Sequence, residues 1–151
     1  MTKEISNSDD VIDSRDVIKR IEELQGERAD LKEAADQADA DYLATVDVGG
    51  PDERKDEAAL LETWDGEFGE ELKALKSLAD DAAGYCSDWK YGAGLIRDSY
   101  FTEYAEELCK DIGDMPREIP HYIAIDWERT AENIKQDYTA VEYGDVTYWV
   151  R

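Results

Sequence analysis

The chain has 151 residues, 39 of them Asp or Glu and 17 Lys or Arg, giving a formal net charge of −22 at pH 7. A charge of this size repels nucleic acid and anionic lipid, so direct nucleic-acid or membrane-surface binding is excluded and partners with basic grooves are favoured. Aromatic residues make up 10% of the chain, which excludes an aromatic-poor disordered polyanion and allows one core of ordinary size.

Three origins of the acidity compete: a solvated surface, a salt-adapted composition, and imitation of a polyanion. Salt adaptation usually depletes lysine, whereas nine Lys accompany eight Arg here. Cys86 and Cys109 are far apart and lack a metal-type partner motif, which predicts reduced thiols in a cytoplasmic protein. The first 25 residues lack an apolar signal core, and no run approaches transmembrane length. The expectation is a soluble chain with no membrane contact and no cofactor.

Residues 1–13 are polar and predict a flexible N-terminus. From Ser14, a suitable N-cap with Asp16 in the first turn, Val17, Ile18, Ile21, Leu24, Gln25, Arg28, Leu31, Ala35, Ala38 and Tyr42 recur at steps of three and four. That stripe is narrow and fades to alanine, as in a helix-pairing seam. Gly49, Gly50 and Pro51 break it. A second helix is predicted over 56–83, with Leu60, Leu61, Trp64, Phe68, Leu72, Leu75 and Leu78 as its stripe, weakened at Gly66 and Gly69. Residues 14–83 therefore read as an antiparallel, coiled-coil-like helical hairpin with arms ~40 Å long at 1.5 Å per residue. Its open seam would meet the C-terminal part or a second subunit, so a homodimer is one expectation.

Gly84–Gly94 looks like a connector and sets a boundary, with 84–151 as a second, small α+β domain. Acidic residues outnumber basic ones 25 to 10 before Gly84 and 14 to 7 from it onward, so both parts are negative. A helix is predicted from Tyr100 to Ile112, with Phe101, Tyr104, Ala105, Leu108 and Ile112 inward. Glu103, Glu106, Glu107, Lys110 and Asp111 lie outward, and Gly113 ends the helix. Carboxylates four residues apart on a helix are ~6 Å apart along its axis, which approximates the rise along a strand of phosphates as well as it describes an ordinary solvated face. Pro116 and Pro120 bracket an extended stretch. Asp126 N-caps a helix with Trp127, Ala131, Ile134 and Tyr138 inward and Glu128, Glu132 and Lys135 outward. Finally, TAVEY-GD-VTYWV predicts a β-hairpin with Val141, Tyr143, Val146, Tyr148 and Val150 on one face and Glu142 and Trp149 on the other.

Catalytic readings are weak. His121 is the sole histidine and follows a proline in a loop, and with 39 carboxylates some well-spaced pair always appears. There is no phosphate-binding glycine motif, CxxC pair or HExxH. A metal-dependent hydrolase has no positive sign, and the expectation is a protein that is not an enzyme.

The segment from Ser99 to Arg151, SYFTEYAEELCKDIG followed by HYIAIDWERTAENIKQDYTAVEYGDVTYWVR, resembles the C-terminal domain of the ArdA antirestriction family. The shared features are the acidic helix at Tyr100–Asp114, the Asp126-Trp127-Glu128 helix start and the tyrosine-rich close at Tyr138–Arg151. Upstream the chain departs from the family, whose full-length members carry small mixed domains where this one has a helical hairpin. The resemblance implies a DNA-mimic, anti-defence protein in a bacterial host, occupying the basic DNA-binding groove of a restriction–modification enzyme, with type I favoured. The implied contact carboxylates are Asp98, Glu103, Glu106, Glu107, Asp111, Asp114, Glu128 and Glu132. Two alternatives stay open: an inhibitor of another nucleic-acid-handling defence system, such as a CRISPR effector, and a helical-hairpin adaptor whose acidity serves solubility.

Overall fold

The structure, a computed structural model, describes residues 3–49 and 52–151. It is an α+β protein in three layers, because its single sheet is covered on both faces. Strand β1 (Val11–Asp13) leads into helix α1 (Ser14–Thr45), and a 3-10 turn (Val46–Val48) precedes α2 (Arg54–Ala83). Then come β2 (Gly94–Arg97), a second 3-10 turn (Asp98–Tyr100), α3 (Phe101–Asp111), α4 (Trp127–Lys135), β3 (Thr139–Tyr143) and β4 (Val146–Val150). The sheet is antiparallel throughout, in the order β1-β2-β4-β3.

The predicted helical hairpin is present. Its register is fixed by polar links that run in opposite senses along the two arms. Arg20 meets Glu71 at 2.8 Å, Arg28 meets Asp65 at 2.7 Å, and the Arg54 guanidinium lies 3.4 Å over the Tyr42 ring. At the sheet end Val17, Leu24, Leu75 and Leu78 are fully buried. Each such aliphatic side chain contributes about 1.5–3 kcal/mol relative to exposure. Toward the far end the seam thins, and Leu60, expected inward, is 54% exposed. Gly49 takes the left-handed conformation (φ 72°) that ends the 3-10 turn; the other two breakers, Gly50 and Pro51, lie outside the described residues.

Alternation along the strands sorts the core into two layers. Ile12, Leu95, Val141, Tyr143, Tyr148 and Val150 pack with the helical hairpin. On the opposite face Ile96 and Trp149, which are cross-strand partners, pack with Phe101, Ala105 and Ala131 of α3 and α4. The β-hairpin has the predicted register and faces, and Gly144 (φ 55°) and Asp145 (φ 63°) form the tight two-residue turn.

Three expectations are corrected. Of the stretch 1–13 expected to be flexible, residues 5–13 are built into the fold: Ile5 is buried, β1 forms the sheet edge, and the Tyr148 hydroxyl donates to the Asp9 carbonyl at 2.7 Å. Ser14 is not the N-cap; Asp13 is, its carboxylate accepting the Arg15 N–H at 2.8 Å. Ser14 is instead fully buried, donating to the Trp89 carbonyl and accepting the Ala93 N–H, both at 2.7 Å. Gly84–Gly94 is not a break in the core, since one hydrophobic cluster joins the α1–α2 hairpin to β2, β3 and β4 across it. Within that stretch Cys86, Trp89 and Ala93 are buried.

Candidate partner-binding surface

The inner side of α3 is set by Phe101 and Ala105, both fully buried. Phe101 meets Tyr104, Tyr138 and Trp149 edge-on at 5.2–6.2 Å. Tyr104 and Tyr138 join their hydroxyls at 2.8 Å, and burial with this bond pushes the Tyr138 phenol well above its ordinary value. These contacts fix the rotation of the helix, so its acidic positions must face outward. Leu108 is half-buried as expected for the inner side, whereas Ile112, at the helix end, is 60% exposed.

The predicted contact carboxylates divide into two groups. Glu103, Glu106, Glu107 and Asp111 run along the outer side of α3, with Asp114 beyond its end. Glu103, Asp111 and Asp114 are exposed, and their carboxylates make no ion pair or hydrogen bond among the described residues. Glu106 is paired with Lys110 at 2.8 Å, and Glu107 accepts the Tyr100 hydroxyl at 3.2 Å.

The second group borders an open groove between the start of α3 and α4. Asp98, Thr102, Asp126, Glu128, Glu132 and Lys135 are among its lining residues. Thr102 lies about 140° around the helix from Glu107, at 100° per residue, so the groove and the Glu107 flank look in different directions. Asp126 caps α4 as expected, accepting the Arg129 N–H at 3.0 Å. Glu128 is exposed and unpaired among the described residues, while Glu132 meets Lys135 at 3.1 Å.

Asp98 has a different character. One of its oxygens accepts both Lys135 Nζ at 2.9 Å and the Trp149 indole N–H at 2.8 Å. The Lys135 hydrogen bond, then that from Trp149, holds the Asp98 carboxyl below its ordinary range against a smaller effect of burial. On Lys135, burial is the largest single influence and opposes the charge, but Asp98 and Glu132 together outweigh it and raise the ammonium pKa. The ammonium also lies 5.4 Å from the Phe101 ring centroid and 5.2 Å from that of Trp149. Asp98 therefore ties the 3-10 turn, α4 and β4 together, and its charge is already answered within the fold.

The residue-by-residue selection passed over the α1–α2 hairpin, which carries its own exposed, unpaired acids. Asp30, Glu33 and Asp39 on α1 and Glu62, Glu67 and Glu70 on α2 are exposed, and their carboxylates make no ion pair or hydrogen bond among the described residues. With α1 about 48 Å long (32 residues at 1.5 Å each), these acids extend the negative surface well beyond the sheet.

His121 is exposed and stacks edge-on with Tyr122, the centroids 5.5 Å apart. Among the described residues no three His, Cys, Asp or Glu side chains are grouped so that they could hold a metal ion, and no helix is long and apolar enough to cross a membrane. Both cysteines are free, Cys86 buried and Cys109 half-buried. Compared with known protein families, with curated proteins and with solved structures, the chain has no significant match.

Proposed function

We propose that this protein is a non-enzymatic DNA mimic that occupies the basic DNA-binding groove of a host restriction–modification enzyme, most readily a type I complex, in the bacterial cytoplasm. The observation that carries the reading is a set of carboxylates held outward on a fixed framework without a cation of their own: Glu103, Asp111, Asp114 and Glu128. A free carboxylate on a rigid helix loses little by meeting a lysine or arginine of a partner, whereas one already paired must first give up its internal cation. Contact at several such positions releases counterions from the basic groove, so binding weakens steeply with salt, as it does for DNA itself. Asp98 is a positioning residue in this scheme, and Glu106 and Glu132 are shared with lysines. The net charge of −22 disfavours direct nucleic-acid binding by the same electrostatics.

The test is competition with duplex DNA for a purified type I methyltransferase at low ionic strength. Wild-type protein displaces DNA, and a Glu103→Lys, Asp111→Lys, Glu128→Lys variant does so at least ten-fold less well. Undiminished displacement by the folded variant removes the mimicry claim. A second reading, a helical-hairpin adaptor, is favoured by exposed apolar side chains at the far end of the α1–α2 hairpin, where Leu43 is 73% and Val48 83% accessible. It predicts stable association of the protein with itself and no displacement of DNA.

A further inference from the structure

We infer that the α1–α2 hairpin carries a built-in hinge at the level of Gly26 and Gly66, about which its outer half pivots as one unit relative to the sheet. Three glycines sit where their surroundings do not require them. Gly26 lies inside α1, and Gly66 and Gly69 inside α2; none of the three is among the positive-φ residues. A Cβ added at Gly26 or Gly66 would meet no atom within 4 Å, and one at Gly69 would meet only the Asp65 Cβ, at 3.9 Å. Neither a left-handed backbone nor a close neighbour therefore accounts for them, although each weakens its helix relative to alanine.

Their placement is correlated between the arms. Glu27 accepts the Trp64 indole N–H at 3.1 Å, and Arg28 grips Asp65 through two hydrogen bonds of 2.7 and 3.1 Å. Gly26 and Gly66, next to these links on their sheet side, thus lie at the same height on opposite arms. That height is also where the core shared with the sheet thins. Below it, Val17, Leu24, Leu75 and Leu78 share the core with β2, β3 and β4. Above it, among the described residues, only Trp64 and the half-buried Leu31 continue that cluster, and the Arg54–Tyr42 stack joins the arms near their far end.

Two softened helices at one level would splay if nothing joined them. Here the Arg28–Asp65 and Glu27–Trp64 links join arm to arm, so the outer half moves as a pair. Gly69 adds room beside the pivot, lining an open hollow with Arg28, Asp65, Leu72, Lys73 and Lys76. Hinges of this kind concentrate the backbone change in a few residues and leave the rigid elements on either side intact. The consequence is a negatively charged arm whose direction adapts while its surface does not, and this holds whatever partner the protein has.

The experiment is a distance distribution between two spin labels, one at Leu43→Cys near the hairpin end and one at Glu142→Cys on β3. It is carried out on the full chain with Cys86→Ala and Cys109→Ser. The wild-type glycines give a broad distribution, and Gly26→Ala with Gly66→Ala narrows it by at least a third. Asp30→Ala with Thr63→Ala, which replaces neighbouring exposed residues without touching a glycine, leaves the width unchanged. Equal widths for the wild-type and glycine-replaced arms, or the same narrowing from the Asp30 and Thr63 pair, would overturn the hinge.

Discussion

Asp98 and Lys135 meet at 2.9 Å, and the same carboxylate oxygen receives the indole N–H of Trp149. Three elements far apart in the chain are thereby joined beneath a lysine whose side chain is only 13% exposed. Asp98→Ala removes both bonds and lowers stability by about 1 kcal/mol, a figure kept small because the carboxylate is half open to solvent. The sign with pH follows from the depressed folded pKa of Asp98. Its contribution is complete above the unfolded value near ~4 and disappears as pH falls through the lower folded value. Urea unfolding of wild type and Asp98→Ala should therefore differ at pH 7 and converge in acid.

Ser14 closes the start of α1 onto the 84–93 connector through its buried hydroxyl. Ser14→Ala leaves a buried carbonyl at Trp89 and a buried N–H at Ala93 without this partner. The expected loss is about 2 kcal/mol, read as a lower urea midpoint with an unchanged slope. Ser14→Thr keeps the hydroxyl but adds a methyl group at a fully buried position, so it restores only part of the loss.

Tyr138, Tyr143 and Tyr148 all have phenol pKa values raised chiefly by burial, that of Tyr148 to about 12. A raised folded pKa means that stability is intact below the unfolded value near ~10 and declines as pH rises through the folded one. Thermal unfolding followed between pH 9 and 12 should show a falling midpoint. Tyr148→Phe, which also gives up the bond to the Asp9 carbonyl, should start about 1 kcal/mol lower at pH 7 and decline less steeply.

With a net charge of −22, self-repulsion opposes the compact state. Raising NaCl from 20 to 300 mM shortens the Debye length from about 20 Å to about 6 Å, and the melting temperature should rise. The same salt change should weaken displacement of DNA from a methyltransferase, so stability and binding move in opposite directions. A protein held together mainly by its exposed ion pairs would instead melt earlier in salt.

What could be read directly from the residues was whatever depends on local periodicity. The stripe from Val17 to Tyr42, the stripe from Leu61 to Leu78, the Asp126 cap and the Gly144-Asp145 turn are each encoded within a few residues, so helices and β-hairpin stood where expected. Strands β1 and β2, of three and four residues, were missed because alternation needs more length to register. They exist because Val11 pairs with Ile96, a contact that neither segment announces alone. For the same reason Ser14 looked like a cap: its hydroxyl is claimed by Trp89 and Ala93, some 75 residues away.

The acidic surface divides along the same line. Composition set its sign and helical spacing placed Glu103, Glu107 and Asp111 outward, because charge and rotation about a helix axis are local quantities. Which carboxylates are free and which are spoken for was decided only by tertiary structure. Asp98 and Glu132 lose their independence to Lys135, a cation delivered to Asp98 from 37 positions along the chain. The union of hairpin and sheet into one core was likewise beyond the sequence alone, since apolar side chains are not directional and their partners are chosen by the packing of the whole chain.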